Sequence, residues 1–152
     1  MKASAFTMLE IYEIFWKTVR YIEFDEQGFL FLVLQPISVA HMNASMSSKR
    51  GNIFGLHPDD GPLVFAFVEL RWSDPEKDAR MEKIMKYMHD EFQVTLARRG
   101  GLHPWVYPNY AAGWQDPFRS LSNSTLLGLK DVRDAYDPEC VFERLQPGAF
   151  RL

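Results

Sequence analysis

The chain has 152 residues, of which 47% are hydrophobic and 14% aromatic, and a formal net charge of −3. That length suits a single domain, expected over residues 1–152, with a real core, and the apolar content excludes a disordered chain. The charge balance, with "ARRG" at 97–100 too short to make a basic patch, excludes a nucleic-acid footprint, and no apolar run approaches the roughly 18 residues of a membrane span.

Cys140 is the one cysteine, so no internal disulfide is possible. A reducing compartment, and hence a cytoplasmic location, is the expectation. Glu10 and Glu13 interrupt the apolar N-terminus, which lacks the pattern of a signal peptide.

In chain order, residues 7–22 read as a helix. Thr7 and Glu10 have capping-box spacing, and Leu9, Tyr12, Phe15, Trp16 and Val19 give one apolar stripe. "FLFLVLQ" at 29–35 reads as a strand ended by Pro36, and residues 41–62 read as a long loop rich in turn residues. A second strand follows over 63–72.

The next helix is capped by Ser73 or Asp74, opened by Pro75 and stopped by Gly100 and Gly101. Met81, Ile84, Met85, Met88, Phe92 and Leu96 supply its apolar face, as core filling. A last helix spans 123–135 with Leu126, Leu127, Leu129 and Val132 inward, before an irregular tail. The expected fold is α/β, of the α+β kind: a mainly antiparallel sheet with helices packed on one face.

Side chains alternate along a strand. One face of the two strands is aliphatic, with Leu30, Leu32, Leu34, Val64, Ala66, Val68 and Leu70. The other carries Phe29, Phe31, Val33 and Gln35 on the first strand, and Leu63, Phe65, Phe67, Glu69 and Arg71 on the second. This second face is too apolar to be left to water, yet it turns polar at one end. A ligand, a domain or another subunit is expected to cover it. The plainer reading is a sandwich core with a Glu69–Arg71 pair at its edge.

Several chemistries find no support. "GNIFGL" has two glycines but opens no expected helix, so it is not a phosphate loop. His41, His57, His89 and His103 lack metal-ligand spacing, and each is better read as solvated or hydrogen-bonded. No metal site is expected, and no serine sits in a nucleophile elbow.

"YPNYAAGWQDPF" at 107–118 and "YDPECVFERLQPGAFRL" at 136–152 resemble the C-terminal end of fungal berberine-bridge-enzyme-like FAD-linked oxidases. "IYEIFWK", "LQPI", "GNIFGL" and "RWSDPEKD" resemble the same family's substrate domain, in the same order. The family's larger flavin-binding part has no counterpart in these 152 residues, so no cofactor is expected to be held by this chain.

The resemblance implies roles for particular residues. Tyr107, Asn109 and Tyr110 match the segment that approaches flavin and substrate. Tyr110 matches, by motif, a tyrosine that helps to deprotonate a substrate alcohol. Glu69 matches an assisting carboxylate by strand position alone. Trp114 belongs to the matching segment, and, apart from the resemblance, Gln35 and His41 are side chains able to hydrogen-bond a substrate carbonyl or enolate.

The first expectation is therefore a cofactor-free enzyme of fungal natural-product biosynthesis. It would be a cyclase, isomerase or dehydratase acting on an apolar polyketide, terpenoid or alkaloid intermediate. Glu69, Tyr110 and Tyr107 would do the chemistry. Asn109, Gln35, His41, Phe29, Phe31, Phe65, Phe67, Arg71 and Trp114 would bind substrate. The alternatives are a binding module that partners a flavoprotein, or the C-terminal piece of an FAD-linked oxidase. A homodimer through the aromatic sheet face is expected, because a two-fold interface uses one patch twice.

Overall fold

Two strands, β1 (Phe29–Ile37) and β2 (Leu63–Arg71), pair antiparallel in the computed structural model, which describes residues 1–47, 52–146, 148, 150 and 151. With the five α-helices found among the described residues they make the expected mixed α/β protein. The chain divides into two compact units: Met1–His41 with Pro58–His103, and Met42–His57 with Pro104–Leu152. Among the described residues, no helix is long and apolar enough to cross a membrane.

The first unit holds the sheet and two long helices, α1 (Ala5–Val19) and α3 (Asp78–Arg98). α1 packs along α3 and also touches β1. The two helices run antiparallel, as their ties show. Glu10, early in α1, meets Arg98 and Arg99 at the end of α3, and Arg80, early in α3, donates to the carbonyl of Tyr21 just beyond α1. Ile11, Phe15, Ile22, Leu63, Val64, Met81, Met88 and Leu96 are buried.

β1 does not stop at Pro36. It continues to Ile37, with Pro36 opposite Val64. The amide and carbonyl of Val64 bond instead to Met1, at 2.8 and 2.9 Å, so Pro36 faces a partner that asks it for no hydrogen bond. A proline is tolerated at such a position.

α1 also departs from its expected form. It starts at Ala5, and Ser4 caps it by accepting from the Thr7 amide. Thr7 itself is buried inside the helix. The inward stripe is Thr7, Ile11, Phe15 and Thr18, while Leu9, Tyr12 and Trp16 point outward, Leu9 with 55% of its surface exposed. Thr18 turns inward at low cost because its hydroxyl donates to the Ile14 carbonyl at 2.9 Å.

α3 follows the expected pattern more closely. Asp74 accepts from the Glu76 amide and Pro75 opens a single 3₁₀ turn, Pro75–Lys77, that leads into the α-helix. The helix ends at Arg98, followed by Gly100 at φ +63°. Met81, Met88 and Leu96 are buried; Ile84, Met85 and Phe92 are half-buried.

The stretch expected to be one long loop over 41–62 is not one. It contains most of α2 (Val39–Met46) and a 3₁₀ turn at Pro58–Asp60. Residues 48–51 lie outside the described residues. The second unit also holds α4 (Asn123–Tyr136), capped by Ser122, and α5 (Val141–Leu145) in the tail expected to be irregular. Leu127 and Val132, expected inward on α4, are exposed, Leu127 at 62%. Pro147, Ala149 and Leu152 of the "PGAFRL" tail also lie outside the described residues.

Candidate functional site

The expected aromatic sheet face forms within the first unit. The register sets Phe29 opposite Arg71, Phe31 opposite Glu69, Val33 opposite Phe67 and Gln35 opposite Phe65. Directly opposed residues share a face, so all eight side chains leave the sheet on one side. Phe29 and Phe31 stack with centroids 5.4 Å apart, as do Phe65 and Phe67. Phe31 meets Phe67 edge-on across the strands at 6.2 Å.

The face was expected to turn polar at one end, but the antiparallel register puts Glu69 and Arg71 at one end and Gln35 at the other. All three are exposed, and Phe31, opposite Glu69, keeps 38% of its surface in contact with solvent. Arg71 places its guanidinium carbon 5.9 Å from the Phe29 ring centroid, a cation–π contact worth about 0.5–1 kcal/mol at an exposed site. Glu69 is therefore an accessible carboxylate beside an aromatic surface, not one enclosed by it.

His41 is also exposed. Its amide donates to the Ser38 hydroxyl, and its Nδ1 lies 3.1 Å from the same oxygen, so both groups serve the start of α2. His89 bonds Asp90, and His103 lies 3.3 Å from Asp60, in keeping with hydrogen-bonded histidines. Among the described residues, no cluster of three or more His, Cys, Asp or Glu could hold a metal ion.

The second unit builds a separate aromatic cluster. Tyr107 precedes a 3₁₀ turn, Pro108–Tyr110, which folds the chain so that the Tyr107 and Tyr110 rings meet edge-on at 5.4 Å. Asn109, between them, donates from Nδ2 to the Tyr107 hydroxyl at 2.9 Å. Tyr110 is 57% exposed. Trp114 is half-buried in the next turn, where Gln115 returns its amide to the Ala112 carbonyl and its side chain accepts from the Ala112 amide.

Two residues of this cluster were not anticipated. Trp105 lies 5.6 Å from Tyr107, and Phe54 meets both, at 6.3 Å from Trp105 and 6.2 Å from Tyr107. "GNIFGL" carried the signal for Phe54: an aromatic residue flanked by turn-formers. Thus Phe29, Phe31, Phe65, Phe67, Glu69, Arg71 and Gln35 gather on the first unit, and Tyr107, Asn109 and Tyr110 on the second.

The chain is 34% identical over 128 residues to the FAD-dependent monooxygenase tpcD of Cochliobolus heterostrophus, covering 84% of this chain and 24% of that protein. Several of its relatives are fungal FAD-dependent monooxygenases. It is 37% identical over 115 residues to the FAD-dependent monooxygenase prx3 of Penicillium roqueforti, covering 73% of this chain and 22% of the relative. It is 31% identical over 144 residues to the bifunctional solanapyrone synthase of Alternaria solani, covering 95% and 27% respectively. The chain thus spans about a quarter of the length of these relatives. No protein-family model matches it, and no solved structure does.

The described residues do not fit the pyrophosphate end of FAD. That group is normally cradled by a glycine-rich turn opening a helix. The described glycines with positive φ are Gly55, Gly61, Gly100 and Gly148. Gly61 leads into β2, Gly100 follows α3, Gly148 lies beyond α5, and Gly55 closes a turn three residues before the single 3₁₀ turn Pro58–Asp60. None of them opens a helix.

Proposed function

We propose that this chain is the substrate-facing portion of a berberine-bridge-type FAD-linked oxidoreductase of fungal secondary metabolism. The flavin is held by residues outside this sequence, on the same polypeptide or on another. The observation that carries the reading is the alignment of 84% of the chain with a quarter of an FAD-dependent monooxygenase. The rings of Phe29, Phe31, Phe65 and Phe67, and the Tyr107–Tyr110 pair, suit an apolar substrate, which is a polyketide, terpenoid or alkaloid intermediate. Tyr110, by its match to the family segment, receives the proton of a substrate hydroxyl. Asn109 and Tyr107 orient the substrate, and Glu69, on the first unit, takes its role of assisting carboxylate from its strand position in the family match alone.

The test is native purification of the tagged gene product from its source organism, followed by flavin absorbance and assay against extracts of a deletion strain. Flavin in near-equal molar amount, with loss of one metabolite in the deletion strain, supports the reading. A flavin-free product that still converts the accumulated precursor overturns it in favour of a cofactor-free cyclase, isomerase or dehydratase. For the chain by itself, the part-exposed aromatic sheet face supports a homodimer. A monomer mass by size exclusion with light scattering would count against that arrangement.

A further inference from the structure

We propose that Phe54 is a positioning residue of the second unit's aromatic site. It fixes the ring of Tyr107 and, through it, the ring of Tyr110. The consequence for chemistry rests on the role given to Tyr110 above; the geometry and its test do not.

The turn that carries Phe54 is built on local hydrogen bonds. Asn52 accepts the Phe54 amide on Oδ1 at 2.8 Å and donates from Nδ2 to the Ser45 hydroxyl at 3.0 Å. The Gly55 amide returns to the Asn52 carbonyl at 3.3 Å, and Gly55 takes the left-handed conformation at φ +72° that closes the turn. Leu56 follows as a buried anchor. The Phe54 backbone is thus fixed on both sides.

The ring of Phe54 lands edge-on against Tyr107, at an interplanar angle of 78°. Edge-to-face packing is directional, because the positive ring edge seeks the negative ring face. An aliphatic side chain of similar bulk fills the space but carries no such preference. Tyr107 is therefore gripped at its hydroxyl by Asn109 and at its ring by Phe54 and Trp105, and its ring also meets that of Tyr110. A single 3₁₀ turn separates the two tyrosines, and the edge-on contact of their rings couples the Tyr110 ring to that of Tyr107.

Fluorine NMR on the purified chain labelled with 3-fluorotyrosine tests this. There are six tyrosines, and single Tyr→Phe variants assign them. Phe54→Leu keeps bulk and removes the quadrupole. Its expected effect is a shift of the Tyr107 and Tyr110 lines by more than a linewidth, with Tyr12, Tyr21, Tyr87 and Tyr136 unmoved, and Phe54→Tyr, which adds a seventh line of its own, restores both. An unmoved Tyr110 line overturns the proposal. So does movement of all six lines, which would make Phe54 a general support of the fold, and so does failure of Phe54→Tyr to restore. None of these outcomes depends on a flavin or on turnover, so the proposed function can fail while this assignment stands.

Discussion

Arg99 holds Glu10 with two parallel bonds, Nε to Oε2 at 2.8 Å and Nη2 to Oε1 at 2.7 Å, and Arg98 adds a third contact at 3.2 Å. Two-point binding of a carboxylate is the strong geometry for a surface ion pair, and here it ties the start of α1 to the end of α3. The Arg99 hydrogen bond holds the Glu10 carboxyl below its ordinary value of 4.5, against an opposing effect of burial. Asp25 is likewise held below 3.8, first by the Ser73 amide, which donates to Oδ2 at 2.9 Å.

Depressed carboxylate values stabilise the fold above the unfolded-state value, and the stabilisation is lost as pH falls through the folded-state value. Urea midpoints should therefore drop as the solution is acidified below about pH 4.5. In Glu10→Gln the acid limb should be shallower. The gap to the unaltered protein should be full at neutral pH and should close in strong acid. A gap that stays constant across the acid range would show that the bidentate pair does not carry the pH dependence.

A second prediction separates the two faces of α1. Ile11 is fully buried and Leu9 is mostly exposed, two residues apart on one helix. Ile11→Ala should cost about 2–5 kcal/mol through lost burial and the cavity left behind. Leu9→Ala should change stability by about 0.5 kcal/mol or less. Urea unfolding of both variants reads the difference directly, and equal losses would refute the assigned orientation of the helix.

That helix also shows where sequence reading reaches its limit. Leu9, Tyr12 and Trp16 share a helical stripe, and so do Thr7, Ile11, Phe15 and Thr18. Both stripes satisfy the 3.6-residue period, and the second holds two threonines, so hydrophobicity alone points to the wrong one. α4 misleads in the same way, since its leucines crowd more than one face. The sheet was legible because a period of two leaves only two assignments, and Phe29, Phe31, Phe65 and Phe67 could fall together only on one side. Tyr107, Asn109 and Tyr110 were legible because they are neighbours in sequence. Phe54 joins them from a turn some fifty residues earlier, and no local period or spacing announces a contact over that separation.

Gly55 provides a third prediction. At φ +72° it occupies backbone space that an L side chain adopts with strain, while the nearest atoms to an added Cβ, on Leu121 and Ser120, lie at 3.8 and 3.9 Å. The cost of Gly55→Ala is therefore conformational and not steric, about 1–2 kcal/mol. Gly55→Asn should cost less, because asparagine enters this region more readily. Thermal unfolding of the two variants checks the order, and an alanine variant as stable as glycine would mean the turn does not hold this conformation in solution.

The last prediction concerns chemistry. Tyr110→Phe removes the hydroxyl of a largely exposed tyrosine and keeps the ring that packs on Tyr107, so the fold should be little affected. Loss of a positioned proton acceptor typically lowers turnover by about 10²–10⁴-fold. That drop is expected in the flavin-containing preparation from the source organism, with substrate binding little changed. Glu69→Gln, also exposed and opposite Phe31, should likewise preserve folding and lower turnover. The two residues lie in different compact units, so each variant stands as its own measurement. Normal turnover by both would remove Tyr110 and Glu69 from the reaction and leave the aromatic surfaces with binding alone. A loss confined to Tyr110→Phe would keep the proton with the tyrosine and reduce Glu69 to a solvated edge of the sheet.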